Sequence, residues 1–170
     1  MPLKIVQNDI TKMEVDAIVN AANTSLKMGG GVCGAIFRAA GAGELQKACD
    51  EIGGCNTGEA VITDGFRLKA KYIIHTAGPI WQGGGHGEAD LLHDCYINSL
   101  KLAKDHGCKS IAFPLISSGI YGYPKKEALE IAVSSILSFL RDTDMQVYLV
   151  IFDQDTFELS KTMFPGHIGN

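Results

Sequence analysis

The strongest constraint on the fold is an alternation along the chain between short runs rich in β-branched residues and longer amphipathic segments. This alternation predicts a mostly parallel sheet whose strands are joined by helices on both faces. The predicted strands span residues 3–6, 17–19, 60–63, 72–76, 110–115 and 146–152, and the predicted helices span residues 34–52, 89–105, 125–141 and 156–163. We therefore expect an α/β fold, a three-layer α/β/α sandwich with a mixed, mostly parallel central sheet, formed by residues 1–170 as a single domain.

The composition argues against several classes of protein. The 170 residues are 46% hydrophobic and 20% charged, as in a globular domain. The net charge of −4 lacks the basic excess of a typical nucleic-acid binder. No apolar run approaches the ~20 residues that span a bilayer, and residues 1–10 lack the apolar core of a signal peptide. We therefore expect no membrane association and no nucleic-acid partner.

The cysteines and histidines indicate neither a disulfide framework nor a metal site. Five cysteines is an odd number, and no two of them have C-x-x-C spacing. This favours free thiols in a reducing compartment, so we expect a cytoplasmic protein. The five histidines do not supply the closely spaced pairs of a zinc site. We expect no metal, no cofactor and, because nothing suggests obligate assembly, a monomer.

Three loops follow predicted strands: residues 20–33, residues 117–123 and the segment after Phe152. In a parallel sheet, ligands bind at the carboxyl ends of the strands. The first loop leads into GGGVCGAIF, where glycines allow a ligand to approach the backbone and a helix start aims unpaired N–H groups at it. Such a loop can bind phosphate. A flexible surface turn would explain this motif alone equally well.

The second loop, SSGIYG, favours the phosphate interpretation. It also follows a buried strand and precedes a helix, and two loops rich in N–H groups at one sheet edge suit a diphosphate held from both sides. The chain contains no GxxxxGK[ST], so a P-loop ATPase loses support. Residues 29–34, GGGVCG, fit GxGxxG only as a spacing of glycines, which alone is a weak signal for a Rossmann dehydrogenase.

Four further side chains are candidates for contacts with a nucleotide. The amides of Asn20 and Asn23 can orient ribose hydroxyls, although an asparagine in a turn commonly bonds to its own backbone. Asp9 could accept a hydrogen bond from the amine of a base, or it could cap a turn. Phe152 could stack on a base, or it could belong to the core.

Six segments together resemble the macrodomain family. They are QNDIT, VDAIVNAAN, GGGVCGAIFRAAG, YIIHTAGP, SIAFPLISSGIYGYP and VIFDQDTF. The resemblance runs from about residue 3 to residue 157, in order and with ordinary spacing, and is greatest to the MacroD-type group of small macrodomains. It implies an α/β/α sandwich that binds ADP-ribose and, in many members, hydrolyses ADP-ribosyl esters.

The resemblance also implies roles for individual residues. The adenine would lie between Asp9, with its neighbour Ile10, and Phe152, and the diphosphate between the two loops. Asn23 and Tyr121 would flank the distal ribose, and Asn20 would shape the loop or assist catalysis with them. The implied ADP-ribose-binding residues are Asp9, Ile10, Asn23, Gly30, Gly31, Val32, Cys33, Ser117, Ser118, Gly119, Ile120, Tyr121 and Phe152.

The sequence departs from the family pattern at two of its polar positions. Hydrolytic members usually read GGGVDGAIH, which would place an aspartate and a histidine where this chain has Cys33 and Phe37. An aspartate is ionised at pH 7 and can orient or deprotonate water, whereas a thiol is a weak hydrogen-bonding group. A bound diphosphate beside Cys33 would disfavour a thiolate. We therefore interpret Cys33 as a packing residue in preference to a nucleophile, and Phe37 as a cover for the ligand's edge or for the core.

These observations predict an ADP-ribose-binding macrodomain that hydrolyses ADP-ribosyl esters without the usual aspartate. Alphavirus macrodomains resemble the loop, with GVC followed by an aromatic residue, and as a group they remove ADP-ribose. The expected partners are ADP-ribose and either mono-ADP-ribosylated proteins or O-acetyl-ADP-ribose. A non-catalytic ADP-ribose reader is the alternative that the missing polar pair motivates. A nucleotide or RNA binder using the same cleft is disfavoured by the acidic net charge.

Overall fold

The computed structural model describes residues 1–169, so Asn170, the last residue of the predicted domain, lies outside the described chain. The helices and strands follow the predicted alternation. In chain order they are β1 (Leu3–Gln7), β2 (Ala17–Ala22), α1 (Gly31–Ala40), α2 (Ala42–Ile52), β3 (Ala60–Asp64), β4 (Tyr72–Ala77), α3 (Glu88–Asp105), β5 (Ser110–Phe113), α4 (Lys125–Leu140), β6 (Gln146–Ile151) and α5 (Gln154–Met163), with short 3₁₀ segments at Ile10–Lys12 and Pro165–His167.

The six strands form one mixed sheet in the order β1-β6-β5-β2-β4-β3. Every neighbouring pair is parallel except β3 and β4, which pair antiparallel at one edge. The prediction of a mixed, mostly parallel sheet is therefore confirmed. The five parallel strands direct their carboxyl ends to the same edge of the sheet, where a ligand site is expected.

Successive residues of the strands point to opposite faces, and each face is covered by helices. On one face, side chains such as Val19 and Leu149 pack in a cluster with α3 and α4. On the other face, Ile18 and Val150 pack with α1 and α2. Phe37 is 1% exposed within this second cluster, so it belongs to the core, and truncating it to alanine would cost about 3–5 kcal/mol. The two layers of helices make the fold an α/β/α sandwich.

The predicted helix over residues 34–52 was wrong as a single element. The structure has two helices there, separated by Gly41, whose φ of +108° is incompatible with an α-helix and suits glycine. Two strand boundaries also differ from prediction by more than one residue. β5 ends at Phe113 because Pro114 has no N–H to donate to the sheet. β2 continues to Ala22 because its pairing with β4 continues to Ala77, so Asn20 lies in a strand.

The five cysteines of the described chain are free, as the sequence predicts, and all of them are buried. No helix within residues 1–169 combines the length and the apolar character needed to cross a membrane.

Candidate functional site

A cavity of about 620 Å³ opens at the edge of the sheet where the parallel strands end. Each of the five parallel strands is followed, within four residues of its end, by a lining residue: Asp9 after β1, Asn23 after β2, Gly78 after β4, Ser117 after β5 and Phe152 after β6. The volume lies within the range that encloses a small organic ligand or nucleotide. The fold thus gathers at one place residues that are far apart in sequence.

One wall of the cavity is the glycine loop and the amino terminus of α1. The first hydrogen bond of the helix runs from Gly34 N to Gly30 O at 3.2 Å. The N–H groups of Gly31, Val32 and Cys33 precede it, and no side chain caps the helix. A Cβ on Gly34 would lie 2.6 Å from Gly29 O, so the helix can approach the loop this closely only with glycine there. The wall therefore presents unpaired donors and the positive end of a helix dipole to an anion.

The opposite wall is the loop after β5, and it is held in an uncommon backbone conformation. Ser117 is 6% exposed and has a φ of +66°. This left-handed backbone conformation costs a non-glycine residue about 1–2 kcal/mol. Tyr123 N donates to Ser117 O at 2.9 Å and so closes the loop. Ser117 packs tightly against Gly78, where an added Cβ would collide with Ser117 Oγ and lie 2.7 Å from Ile116 Cγ2. The shape of this wall is therefore set by packing.

Asn23 holds the first loop together through its side-chain amide. Its Nδ2 donates to Lys27 O at 2.8 Å, and its Oδ1 accepts from Lys27 N and from Ser25 Oγ, both at 3.0 Å. An amide has two N–H donors and one oxygen with two lone pairs. One donor of Asn23 is therefore left over, while both lone pairs of its oxygen are in use. Asn23 lines the cavity, and the side-chain hydrogen-bonding group that it has left for a ligand is an N–H.

Beneath the cavity, a buried polar chain connects the glycine loop to the sheet. Asn20 is 1% exposed, and its Nδ2 lies 3.1 Å from His75 Nδ1 and 3.7 Å from Cys33 Sγ. His75 Nε2 lies 3.0 Å from Thr63 Oγ1. Burial lowers the pKa of His75 to about 4, so the ring is neutral at pH 7. With Asn20 as the donor at Nδ1, the ring carries its proton on Nε2 and donates to Thr63.

The adenine end predicted from the sequence contains Asp9 and Phe152. Asp9 Oδ1 accepts from Thr11 N at 3.0 Å and from Thr11 Oγ1 at 2.7 Å, so this oxygen caps the 3₁₀ segment. Asp9 Oδ2 is the oxygen that remains for a ligand. Phe152 is 74% exposed, and Ile120, on the opposite rim, is 94% exposed. Such exposed apolar side chains beside a cavity suit the flat faces of a base.

Comparison with known proteins agrees with this geometry. The family model of the macro domain matches residues 19–132. The chain belongs to the macro domain family. A curated relative from Citrobacter rodentium, named O-acetyl-ADP-ribose deacetylase, is 55% identical to this macrodomain over 163 residues, which is 92% of each chain.

Two solved structures are also similar to this macrodomain. A point mutant of the Oceanobacillus iheyensis macrodomain with ADPR superposes with a TM-score of 0.92 at 44% identity, over 96% of this chain and 92% of that one. The Trypanosoma brucei macrodomain in complex with ADP-ribose superposes with a TM-score of 0.87 at 38% identity, over 95% of this chain and 68% of that one.

The macrodomain fold gathers most of the residues that the resemblance singled out. All thirteen residues predicted to bind ADP-ribose line the cavity, including Tyr121 and Cys33. Asn20, predicted to assist catalysis, is not among the lining residues and is buried below them. The prediction that Asn20 lies in a loop was wrong. Strand β2 extends through Asn20, whose Cα pairs with that of His75 on β4. The amide of Asn20 reaches the cavity lining through its contact with Cys33.

Sequence reasoning missed two charged residues that line the cavity. Lys125, at the start of α4, is the only cation among the described lining residues. Asp153 caps α5, and its hydrogen bond from Thr156 Oγ1, together with the nearby charge of Lys125, keeps its pKa below the usual value. The only sequence signal for either residue is its position at the end of a strand or the start of a helix. Many surface residues share this position, so the signal is not specific. Within residues 1–169, no group of three or more histidine, cysteine or acidic side chains could hold a metal.

Proposed function

We propose that this macrodomain binds ADP-ribose in the 620 Å³ cavity and hydrolyses ADP-ribosyl esters. The observation that carries the proposal is the pair of opposed walls, one from the glycine loop and one from residues 117–121, that both line this cavity at the sheet edge. Relatives named O-acetyl-ADP-ribose deacetylase, at 51–55% identity, support the reaction class. The substrates are O-acetyl-ADP-ribose or proteins carrying ADP-ribose on acidic side chains.

In this proposal the ligand lies across the carboxyl ends of the strands. The diphosphate is bound by the unpaired N–H groups of Gly31 and Val32 on one side and by the loop after Ser117 on the other. The adenine lies at the Phe152 end, where Asp9 Oδ2 accepts from its exocyclic amine. The distal ribose lies at the Asn23 end. There the free N–H of Asn23 donates to a ribose hydroxyl or to the ester oxygen.

The hydrolytic step uses no carboxylate of the protein. Among the described lining residues, only Asp9 and Asp153 carry carboxylates, and both cap helices. The water is therefore held by a phosphate oxygen of the ligand and by backbone groups of the two loops, which also orient the distal ribose. Hydrolysis adds the elements of water across the ester and gives a carboxylic acid and free ADP-ribose.

A second candidate function is a non-catalytic ADP-ribose reader. Cys33 is 7% exposed and its thiol faces the Asn20 amide, while Phe37 is in the core. The two positions that would supply an aspartate and a histidine therefore supply packing instead. A reader needs only the binding cavity and not the placement of water.

A paired experiment separates the two functions. Calorimetric titration with ADP-ribose measures binding, and release of ADP-ribose from a protein mono-ADP-ribosylated on glutamate measures turnover. We expect binding, with release above that in buffer. Binding without release would favour the reader, and a lack of binding would contradict both functions.

A further inference from the structure

A second, smaller cavity lies beside the proposed ADP-ribose cleft. Its volume is about 250 Å³, below the range typical of sites for whole small-molecule ligands and suited to a single side chain. It is lined by Trp81 and Gly84 of the loop before α3, by Tyr123, and by Glu127 and Glu130 of α4, among others. None of these residues takes part in the proposed reaction.

The walls of this second cavity combine aromatic rings with negative charge. The rings of Trp81 and Tyr123 pack with their centroids 4.7 Å apart and their planes tilted by 55°. Glu127 and Glu130 are exposed on α4, and within residues 1–169 neither carboxylate makes an ion pair or a side-chain hydrogen bond. Among the described lining residues there is no cation. Aromatic faces with unpaired carboxylates are complementary to a cationic group.

The hydroxyl of Tyr123 lies in this negative environment. Burial raises the pKa of Tyr123, and the negative charges of Glu88 and Glu127 raise it further. The phenol therefore stays neutral at physiological pH. Tyr123 is 3% exposed, so its ring packs as part of the cavity wall and adds no charge of its own.

The loop that carries Trp81 is held in place by the buried carboxylate of Glu88. This carboxylate accepts from Gln82 N and Gly84 N, both at 2.9 Å, and from His86 N at 2.6 Å. Burial alone would raise the pKa of Glu88, but these backbone N–H groups lower it to about 2. Glu88 is therefore ionised at pH 7, and the wall formed by Trp81 is ordered before any ligand binds.

The second cavity and the ADP-ribose cleft share one wall. Residues 117–121 line the cleft, and Tyr123, two residues on, lines the second cavity. Trp81 N donates to Tyr121 O at 2.8 Å, so the backbone at the predicted distal-ribose end is bonded directly to the wall of the second cavity. A polypeptide attached at the distal ribose would leave the cleft next to this cavity.

We infer that the Trp81–Tyr123–Glu127–Glu130 cavity binds a basic side chain, arginine or lysine, of the ADP-ribosylated protein, close in sequence to the modified residue. This inference rests on the proposed function and deepens it, because it selects among protein substrates. O-acetyl-ADP-ribose has no such side chain, so the cavity would not contribute to its recognition. Specificity for the modified protein would then come from a site separate from the nucleotide cleft.

The test compares two synthetic peptides that carry ADP-ribose through a non-hydrolysable linkage. One peptide has arginine on both sides of the modified residue, and the other has citrulline, the uncharged isostere, at the same positions. We expect the arginine peptide to bind the native protein roughly three- to tenfold more tightly. Trp81 is the only tryptophan of the chain, so its fluorescence should change with the arginine peptide and not with the citrulline peptide.

Two double variants locate the effect. Glu127→Gln with Glu130→Gln should abolish the preference for arginine and leave the affinity for free ADP-ribose unchanged. Glu51→Gln with Asp142→Asn removes two exposed acidic charges on α2 and after α4, and it should keep the preference. Equal binding of the two peptides by the native protein, or a preference that survives the Glu127 and Glu130 substitutions, would overturn the inference.

Free ADP-ribose distinguishes failure of the inference from failure of the proposed function. If free ADP-ribose binds but the arginine preference is missing, only the basic-side-chain site is wrong. If free ADP-ribose does not bind, the proposed function is wrong. In that case N-acetylarginine amide alone still tests the cavity, because it should alter Trp81 fluorescence at millimolar concentration in the native protein and not in the Glu127→Gln, Glu130→Gln variant.

Discussion

The side-chain amide of Asn20 lies 3.7 Å from the thiol of Cys33, at the position where the family resemblance implies an aspartate. Asn20 Nδ2 also lies 3.1 Å from His75 Nδ1. The start of α1 is thereby supported by a neutral buried chain that ends in the sheet. Chemistry at Cys33 would have to proceed with a nearly buried thiol and a neutral partner, so we assign this position to packing.

Asp9→Asn tests the adenine contact without removing the cap. An asparagine oxygen can still accept from Thr11 N, but the amide nitrogen replaces the free carboxylate oxygen and meets the exocyclic amine of adenine donor to donor. Loss of a charge-assisted hydrogen bond costs about 1.5–3 kcal/mol. The affinity for ADP-ribose should therefore fall roughly tenfold to a hundredfold, whereas the affinity for ribose 5-phosphate should not change. Calorimetry with both ligands decides, and equal losses would refute the adenine assignment.

Asn23→Asp separates the loop-holding role of Asn23 from its donor role. The aspartate can still accept from Lys27 N and Ser25 Oγ, but it cannot donate to Lys27 O or to the ligand. The family resemblance places Asn23 beside the distal ribose, and a purely catalytic role there would predict that loss of Asn23 damages turnover more than binding. The hydrogen bonds to Lys27 change this expectation, because the loop itself depends on Asn23.

We therefore expect Asn23→Asp to lower both the affinity for ADP-ribose and kcat, each by about tenfold or more, since it also places a negative charge near the distal end of an anionic ligand. Titration and initial rates on O-acetyl-ADP-ribose measure the two effects. Native affinity together with a reduced kcat would contradict this expectation and would show that Asn23 has a purely catalytic role.

Gly78→Ala tests whether packing shapes the wall formed by Ser117. The added methyl group would collide with Ser117 Oγ and Ile116 Cγ2, and overpacking of this kind costs about 1–3 kcal/mol. Because Ser117 lines the cavity, the affinity for ADP-ribose should fall with the stability. Gly43→Ala is the matched control, since nothing lies within 4 Å of its added Cβ and it is in helix α2. A Gly78→Ala protein with native affinity would show that the wall adapts.

His75 predicts a pH dependence of stability. Its pKa is about 4 in the folded protein and 6.5 in the unfolded chain, so between these values the unfolded chain binds a proton that the folded protein does not. The neutral His75 ring should therefore make its full contribution to the free energy of unfolding above pH 6.5. That free energy should fall by about 3 kcal/mol as the pH drops to 4. Urea unfolding at pH 7 and pH 4.5 measures it. The free energy of unfolding should depend less steeply on pH in His75→Gln than in the native protein. The same pH dependence in both proteins would contradict a buried neutral ring.

Much of the fold follows from local patterns in the sequence. The runs around Val19 and Leu149 are apolar and β-branched enough to indicate buried strands, and the predicted mixed parallel sheet is observed. The break at Gly41 could not be predicted from periodicity, because residues 34–52 keep a helical pattern across it. A glycine inside such a pattern is compatible with a continuous helix and with a left-handed turn. The tertiary packing of α1 and α2 decides between the two.

The candidate site was partly predictable for a different reason. Loops after parallel strands meet at one edge, so Asn23, Ser117 and Phe152 could be placed together from topology alone. The burial of Asn20 and its contact with Cys33 depend on where β2 ends and on its register with β4. Neither Lys125 nor the Trp81–Tyr123 cavity has a sequence signal of its own, because both arise from packing between elements that are distant along the chain.

The most direct test of ester hydrolysis without a carboxylate at position 33 is the rate of acetate release from O-acetyl-ADP-ribose by the native protein and by Cys33→Ala. We expect both proteins to turn over the substrate, with rates within about tenfold of each other, since the thiol packs against Asn20 and takes no part in the reaction. A thousandfold lower rate in Cys33→Ala would show that the thiol takes part in the reaction, since it corresponds to about 4 kcal/mol of transition-state stabilisation. A native protein that releases acetate no faster than buffer would contradict ester hydrolysis itself.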